Sequence, residues 1–227
     1  MDGDFISDNL AEAVHEEASA DAIRRAIFAA WAAILLGIAV QLLVLAVKVV
    51  AAASWPQLAF LADLAQGVTW ALLVCAGIAI GTVAGRSRSA VMGAIGFIAA
   101  PVAWGLAKGV QRAVQHLVGA TVDPITSFFY TVSALKGVEY AILGAALGHL
   151  VGKGTAHARP YLLLGAAVGI VAAAVMTLLA QRNAALTGTA LPTAAVVAAA
   201  VNEFVFPVGC AFVIYLAARL KSVARVG

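Results

Sequence analysis

The chain has 227 residues, of which 63% are hydrophobic and 11% charged, with a mean hydropathy of +1.01. Soluble domains carry roughly 25% charged residues, so the composition excludes an ordinary soluble fold and predicts an all-α integral membrane protein. The net charge of +3 is small and spread over short loops, which gives no basic face for nucleic acid.

Residues 1–25 form an acidic polar segment in which Asp2, Asp4, Asp8, Glu12, Glu16, Glu17 and Asp21 outnumber Arg24 and Arg25. A solvated tail is the expected role, with a gate or partner-docking element as the alternative. Ser19 has the side chain of a helix N-cap, with Asp21 in the following turn where negative charge suits the helix dipole. Residues 26–220 contain the apolar segments, and 221–227 form a short basic tail.

A membrane span needs about 20 apolar residues, and only a helix satisfies its own backbone hydrogen bonds in lipid. Six transmembrane helices are expected, at roughly Ala26–Val47, Phe60–Ala84, Ala90–Leu106, Ser127–Val151, Tyr161–Leu179 and Ala194–Ala218. The acidic lead-in to the first span is unlike a signal peptide. Arg24, Arg25, Arg86, Arg88, Lys153, Arg159, Arg219, Lys221 and Arg225 fall on one side of this arrangement. Lys48, Lys108, Arg112 and Arg182 fall on the other, so the positive-inside rule predicts cytoplasmic termini in a bacterial inner-membrane type of bilayer.

Span two carries a polar series, Asp63, Gln66 and Thr69. After span three, Val110, Val114, Leu117 and Val118 recur at helical spacing while Lys108, Gln111, Arg112 and Gln115 point elsewhere. The third helix therefore continues beyond the membrane or turns along its surface. Asp123-Pro124 is the expected start of span four, because proline suits a first helical turn.

Span four holds the most informative cluster. With Glu139 as origin and about 100° per residue, Lys136 falls at about 60°, Tyr140 at about 100°, Ser133 at about 120° and Thr126 at about 140°. These residues share one flank, as expected of a helix that lines a cavity or bundle interior. Intramembrane charges are costly, on the order of 3 kcal/mol each, and commonly mark ion or proton pathways. Lys136 is placed to tune or gate a site at Glu139; a purely structural ion pair is the competing reading.

Span six contains Asn202, Glu203 and Pro207. Glu203 has no evident partner on its own helix. Pro207 cannot donate to the Glu203 carbonyl, so a kink there frees that oxygen. Acid, amide and carbonyl together suit a cation or a relayed proton, and a protonated Glu203 bonded to another helix is the alternative. The paired glycines Gly77 and Gly81, Gly93 and Gly96, and Gly165 and Gly169 are expected at close helix contacts.

A faint repeat relates Gly67, Val68, Thr69 and Trp70 to Gly137, Val138, Glu139 and Tyr140, with Glu203 and Phe204 as a weaker third copy. Gly96 and its followers likewise match Gly169. Three pseudo-repeated helical hairpins are the implied architecture, and repeat interfaces near the midplane are common transporter sites.

The leading functional expectation is a channel or secondary transporter for a small cation, protons included, in which Glu139, Glu203 and Asn202 bind or relay. Asp63, Gln66, Thr69, Ser133 and Tyr140 are the expected cavity lining. Lipid and the transported ion are the expected partners, with homo-oligomerisation compatible. A non-catalytic subunit of a larger membrane complex is the first alternative. The second is an intramembrane hydrolase, similar to glutamate-dependent membrane proteases. Those carry adjacent glutamates near a basic residue and a histidine within a span; here Glu16-Glu17 lies in the polar segment and His149 is the sole histidine available. No cofactor is assigned: His116 and His149 sit near span ends, and Cys75 and Cys210 lie inside spans without metal-thiolate spacing.

Overall fold

Many small side chains are buried while many large apolar ones face outward. Ala29, Ala33, Ala100, Ala103, Ala107, Ala211 and Ala217 are fully buried, whereas Leu35 is 68% and Ile98 65% exposed. Water would not tolerate that arrangement over a whole surface, but lipid does, because hydrocarbon is as apolar as leucine and helix association depends on close packing.

The computed structural model describes residues 2–52, 58–83, 87–122 and 124–220, except for the side chains of 2–15, 17, 18 and 52. Among these residues the fold is all-helical, with six helices long and apolar enough to cross a membrane. They are α1 (Asp2–Ala52), α2 (Ala59–Ile80), α3 (Arg88–Leu117), α4 (Ser127–Gly152), α5 (Ala158–Thr187) and α6 (Thr193–Arg219), with a 3-10 turn at Gly81–Val83. The expected tail at 221–227 lies outside the described residues.

Three boundaries bear on the sequence expectations. Helix α1 runs unbroken through Ser19, so that serine caps nothing; Arg25 reaches the 3-10 turn that follows α2, its guanidinium donating to Thr82 Oγ1 at 3.4 Å. Helix α3 continues to Leu117, as one of the two expectations had it. Helix α4 begins at Ser127, as the expected span Ser127–Val151 has it and not at the proposed Asp123-Pro124 start, with Thr126 extended at its N-terminus, so Thr126 is not part of the helical flank. Asp123 lies outside the described residues.

The most extensive interfaces join α1 to α2, α3 to α4 and α5 to α6. Glycine sets their closeness. A Cβ on Gly96 would strike the Tyr140 carbonyl, and one on Gly169 would strike the Phe204 carbonyl, so aligned positions meet in the second and third hairpins. In the first hairpin the contact is different: Gly37 lies against Val68. Helix α2 also packs broadly on α3 and α1 on α6, but α5 touches α4 much less. That thin seam leaves a cleft between α3–α4 and α5–α6.

Candidate functional site: a buried lysine between two glutamates

The site is built from α4 upward. Lys136 and Glu139 are one turn apart and therefore share a face, and the Lys136 ammonium donates to Glu139 Oε2 at 2.8 Å. Both are buried, at 4% and 7% exposure. The same ammonium donates to Glu203 Oε2 on α6. Glu203, which has no partner on its own helix, thus gains one across the bundle. Lys136 Nζ also stands 5.6 Å from the Trp70 ring centroid and 5.8 Å from that of Tyr140, both within cation–π range.

Aromatic rings close the site from α2 and α3. Trp70 meets Tyr140 edge-to-face at 5.2 Å and Trp104 at 6.1 Å. Tyr140 is fully buried beneath this cluster and is a packing residue rather than a lining one. The contact places Trp70 of α2 beside Tyr140 of α4. Phe204, the third aligned aromatic, faces outward, and its neighbour-but-one Phe206 is buried instead.

Beside the triad, Gln41 Nε2 donates to Asn202 Oδ1 at 3.2 Å, linking α1 to α6. Gly67 leaves room for Gln41, whose side chain occupies the space a Cβ would fill. Pro207 is buried within an otherwise continuous α6, four residues beyond Glu203 and five beyond Asn202.

A second polar group lies at the end of the bundle where odd helices finish and even helices begin. Asp63 accepts from Lys48 Nζ at 2.7 Å and from Gln111 Nε2 at 2.9 Å, and Lys108 Nζ donates to Gln111 Oε1 at 2.8 Å. These residues, with Gln66, Asn202, Lys136 and Glu203, line a cavity of about 270 Å³ that runs from this end toward the triad. A neighbouring cavity of about 300 Å³ occupies the seam between α3–α4 and α5–α6 and also reaches Glu203.

Of the expected lining residues, Asp63 and Gln66 line the first cavity. Thr69 and Ser133 are half-buried and contribute to neither cavity, and Glu139 sits behind Lys136. Sequence reasoning missed Gln41, Trp104 and the inward turn of Gln111. The last is an inversion of the amphipathic reading of α3: Gln111 is buried, whereas Val110 and Leu117 are exposed. In a membrane the polar stripe faces the protein and the apolar stripe faces lipid, so the signal was present with its sense reversed.

The chain matches no protein-family model, curated protein or solved structure. Its chemistry therefore rests on its own geometry. Two carboxylates and one ammonium carry a net charge of −1 when all are ionised, and Glu139 Oε1 is buried with no hydrogen-bond partner among the described residues. Such a cluster has a vacant acceptor suited to one proton or one small cation. The thiols of Cys75 and Cys210 lie side by side between α2 and α6, both buried and unbridged. No group of three or more His, Cys, Asp and Glu side chains is placed to hold a metal among the described residues.

Proposed function

We propose that this membrane protein is a proton-handling transporter in which Lys136, Glu139 and Glu203 exchange a proton with a cavity open at one face of the membrane. The observation that carries the reading is the position of Glu203. It is bonded to the buried Lys136 on one side and lines both cavities on the other. A proton arriving at Glu203 weakens its hold on Lys136 and returns the ammonium to Glu139. The triad is thereby a two-position element whose state depends on proton occupancy.

The cavity walls favour a proton over a metal cation. Lys48, Lys108 and Arg112 stand at the mouth, with Asp63 as the carboxylate beside them among the described residues. Their field opposes any incoming positive charge, but a proton moves along hydrogen bonds, whereas an inorganic cation must also shed its hydration shell against that field. This narrows the expected small cation to a proton.

Orientation follows from the remaining charges. Arg24, Arg25, Arg88, Lys153, Arg159 and Arg219 gather at the end opposite the cavities, which the positive-inside rule assigns to the cytoplasm. The cavities then open on the outer face of a bacterial-type inner membrane, with both termini inside.

Proteoliposomes carrying an internal pH dye test the reading. Under an imposed membrane potential the full chain is expected to admit protons in preference to sodium or potassium, and Glu203→Gln to abolish the difference from empty vesicles. Proton entry at the wild-type rate in both Glu203→Gln and Glu139→Gln would remove the triad from the mechanism.

A further inference from the structure

The cavity in the seam has a composition the proton reading does not use. Its inner end is Glu203, and its walls are mostly apolar, with Phe129 and Val132 on α4, Met176 on α5 and Val196 on α6. Its outer end is cationic. Trp104, Lys108 and Arg112 follow one another at intervals of four on α3 and so share a face, and all three line this cavity.

Two donors on that face are unmatched among the described residues. Trp104 Nε1 and Arg112 Nη1 are each buried from solvent and lack a hydrogen-bond partner among the described residues. Lys108 lies between them in sequence, its ammonium 5.1 Å from the Trp104 ring centroid. A buried unmatched donor is costly, and a guanidinium and an indole N–H can only donate. The complement of this surface is an acceptor bearing negative charge, attached to an apolar body that fills the space beside Phe129 and Met176.

We propose that the seam between α3–α4 and α5–α6 binds a small organic anion, with its carboxylate, sulfonate or phosphate on Arg112 and Trp104 and its apolar part against α4 and α5. The volume of about 300 Å³ lies at the lower end of the range for small-molecule sites. The assignment extends the proton-handling reading by supplying a solute. Negative charge brought toward Glu203 is repelled unless that carboxylate carries a proton, so anion entry and proton uptake are linked by Coulomb repulsion. Coupled inward movement of the anion with a proton is the consequence.

Binding to the purified full chain, measured by isothermal titration calorimetry without any gradient, separates this inference from the transport reading. The probes are p-toluenesulfonate, which stays anionic, and benzyltrimethylammonium, its cationic counterpart. Saturable binding of the anion alone is expected. Arg112→Gln should weaken it about tenfold or more, the effect of losing a charged hydrogen bond, and Arg182→Gln, outside the cavity, should leave it unchanged. Ala199→Trp, which fills the cleft from an exposed position on α6, should abolish it and covers the case in which Arg112→Gln fails to fold. Equal binding of the two probes, unaltered affinity in Arg112→Gln, or retained binding in Ala199→Trp would overturn the inference. Anion binding in a protein that moves no protons would uphold the site and overturn the transport reading instead.

Discussion

Lys136 and Glu203 form an ion pair between α4 and α6, two helices that otherwise touch little. The pair closes a gap that hydrophobic packing leaves open, and it makes the contact between these helices depend on charge. Removing Lys136 would leave Glu139 and Glu203 facing each other without a cation. Lys136→Met is therefore expected to lower stability by about 3–5 kcal/mol, the usual cost of orphaning a buried charge. Thermal unfolding in detergent measures it. Adding Glu139→Gln and Glu203→Gln to Lys136→Met should recover part of the loss, because no buried ion is then left unpaired.

The Lys48–Asp63 pair is the contrasting case. Its side chains are 36% and 29% exposed, so water screens it at the end of the bundle. Asp63→Asn should cost under about 1 kcal/mol, and the difference should shrink further in high salt. A loss as large as that of Lys136→Met would show that the two polar clusters are not energetically distinct.

Helix closeness provides a test of the fold. Gly96 lies against the Tyr140 backbone, where a larger residue must push α3 from α4, so Gly96→Val should destabilise by about 1–3 kcal/mol. Gly109, on the same helix, has open space around its Cβ position. Gly109→Ala should be neutral or stabilise by up to about 1 kcal/mol through helix propensity. The unfolding midpoint should fall in Gly96→Val and stay level or rise in Gly109→Ala.

Gln41 is the buried polar residue of α1 among the described side chains. Gln41→Leu removes the donor to Asn202 Oδ1, for an expected loss of about 1–2 kcal/mol. The paired variant Gln41→Leu with Asn202→Leu should lose less than the sum of the two single changes, since no amide is then left unmatched. A double-mutant cycle on unfolding free energies measures the coupling.

Much of this architecture was legible because lipid imposes simple rules. Each span must be apolar, long and helical, and Glu139 and Lys136 announce a polar interior by their spacing alone. The partner of Glu203 was not legible, since an i, i+3 pair is encoded along one helix but a contact between α4 and α6 depends on how the bundle closes. Gln41 was overlooked for the same reason: a lone amide in an apolar span acquires meaning only when Gly67 opens a place for it. The thin α4–α5 seam had no sequence signal, because a missing contact leaves no pattern. At Ser19 a side chain suited to capping was overridden by helix continuation, as capping preference decides only where other forces leave the end free.

In the proposed function the triad takes up and releases a proton at Glu139 or Glu203. Infrared difference spectroscopy on the purified full chain, with pH stepped across the acidic to neutral range, reads carboxyl protonation directly. A protonated-carboxyl stretching band that grows and fades with the step, and is lost in Glu203→Gln or Glu139→Gln but retained in Asp63→Asn, is the predicted result. A band unchanged in both glutamate variants, or absent from the wild-type protein, would contradict it.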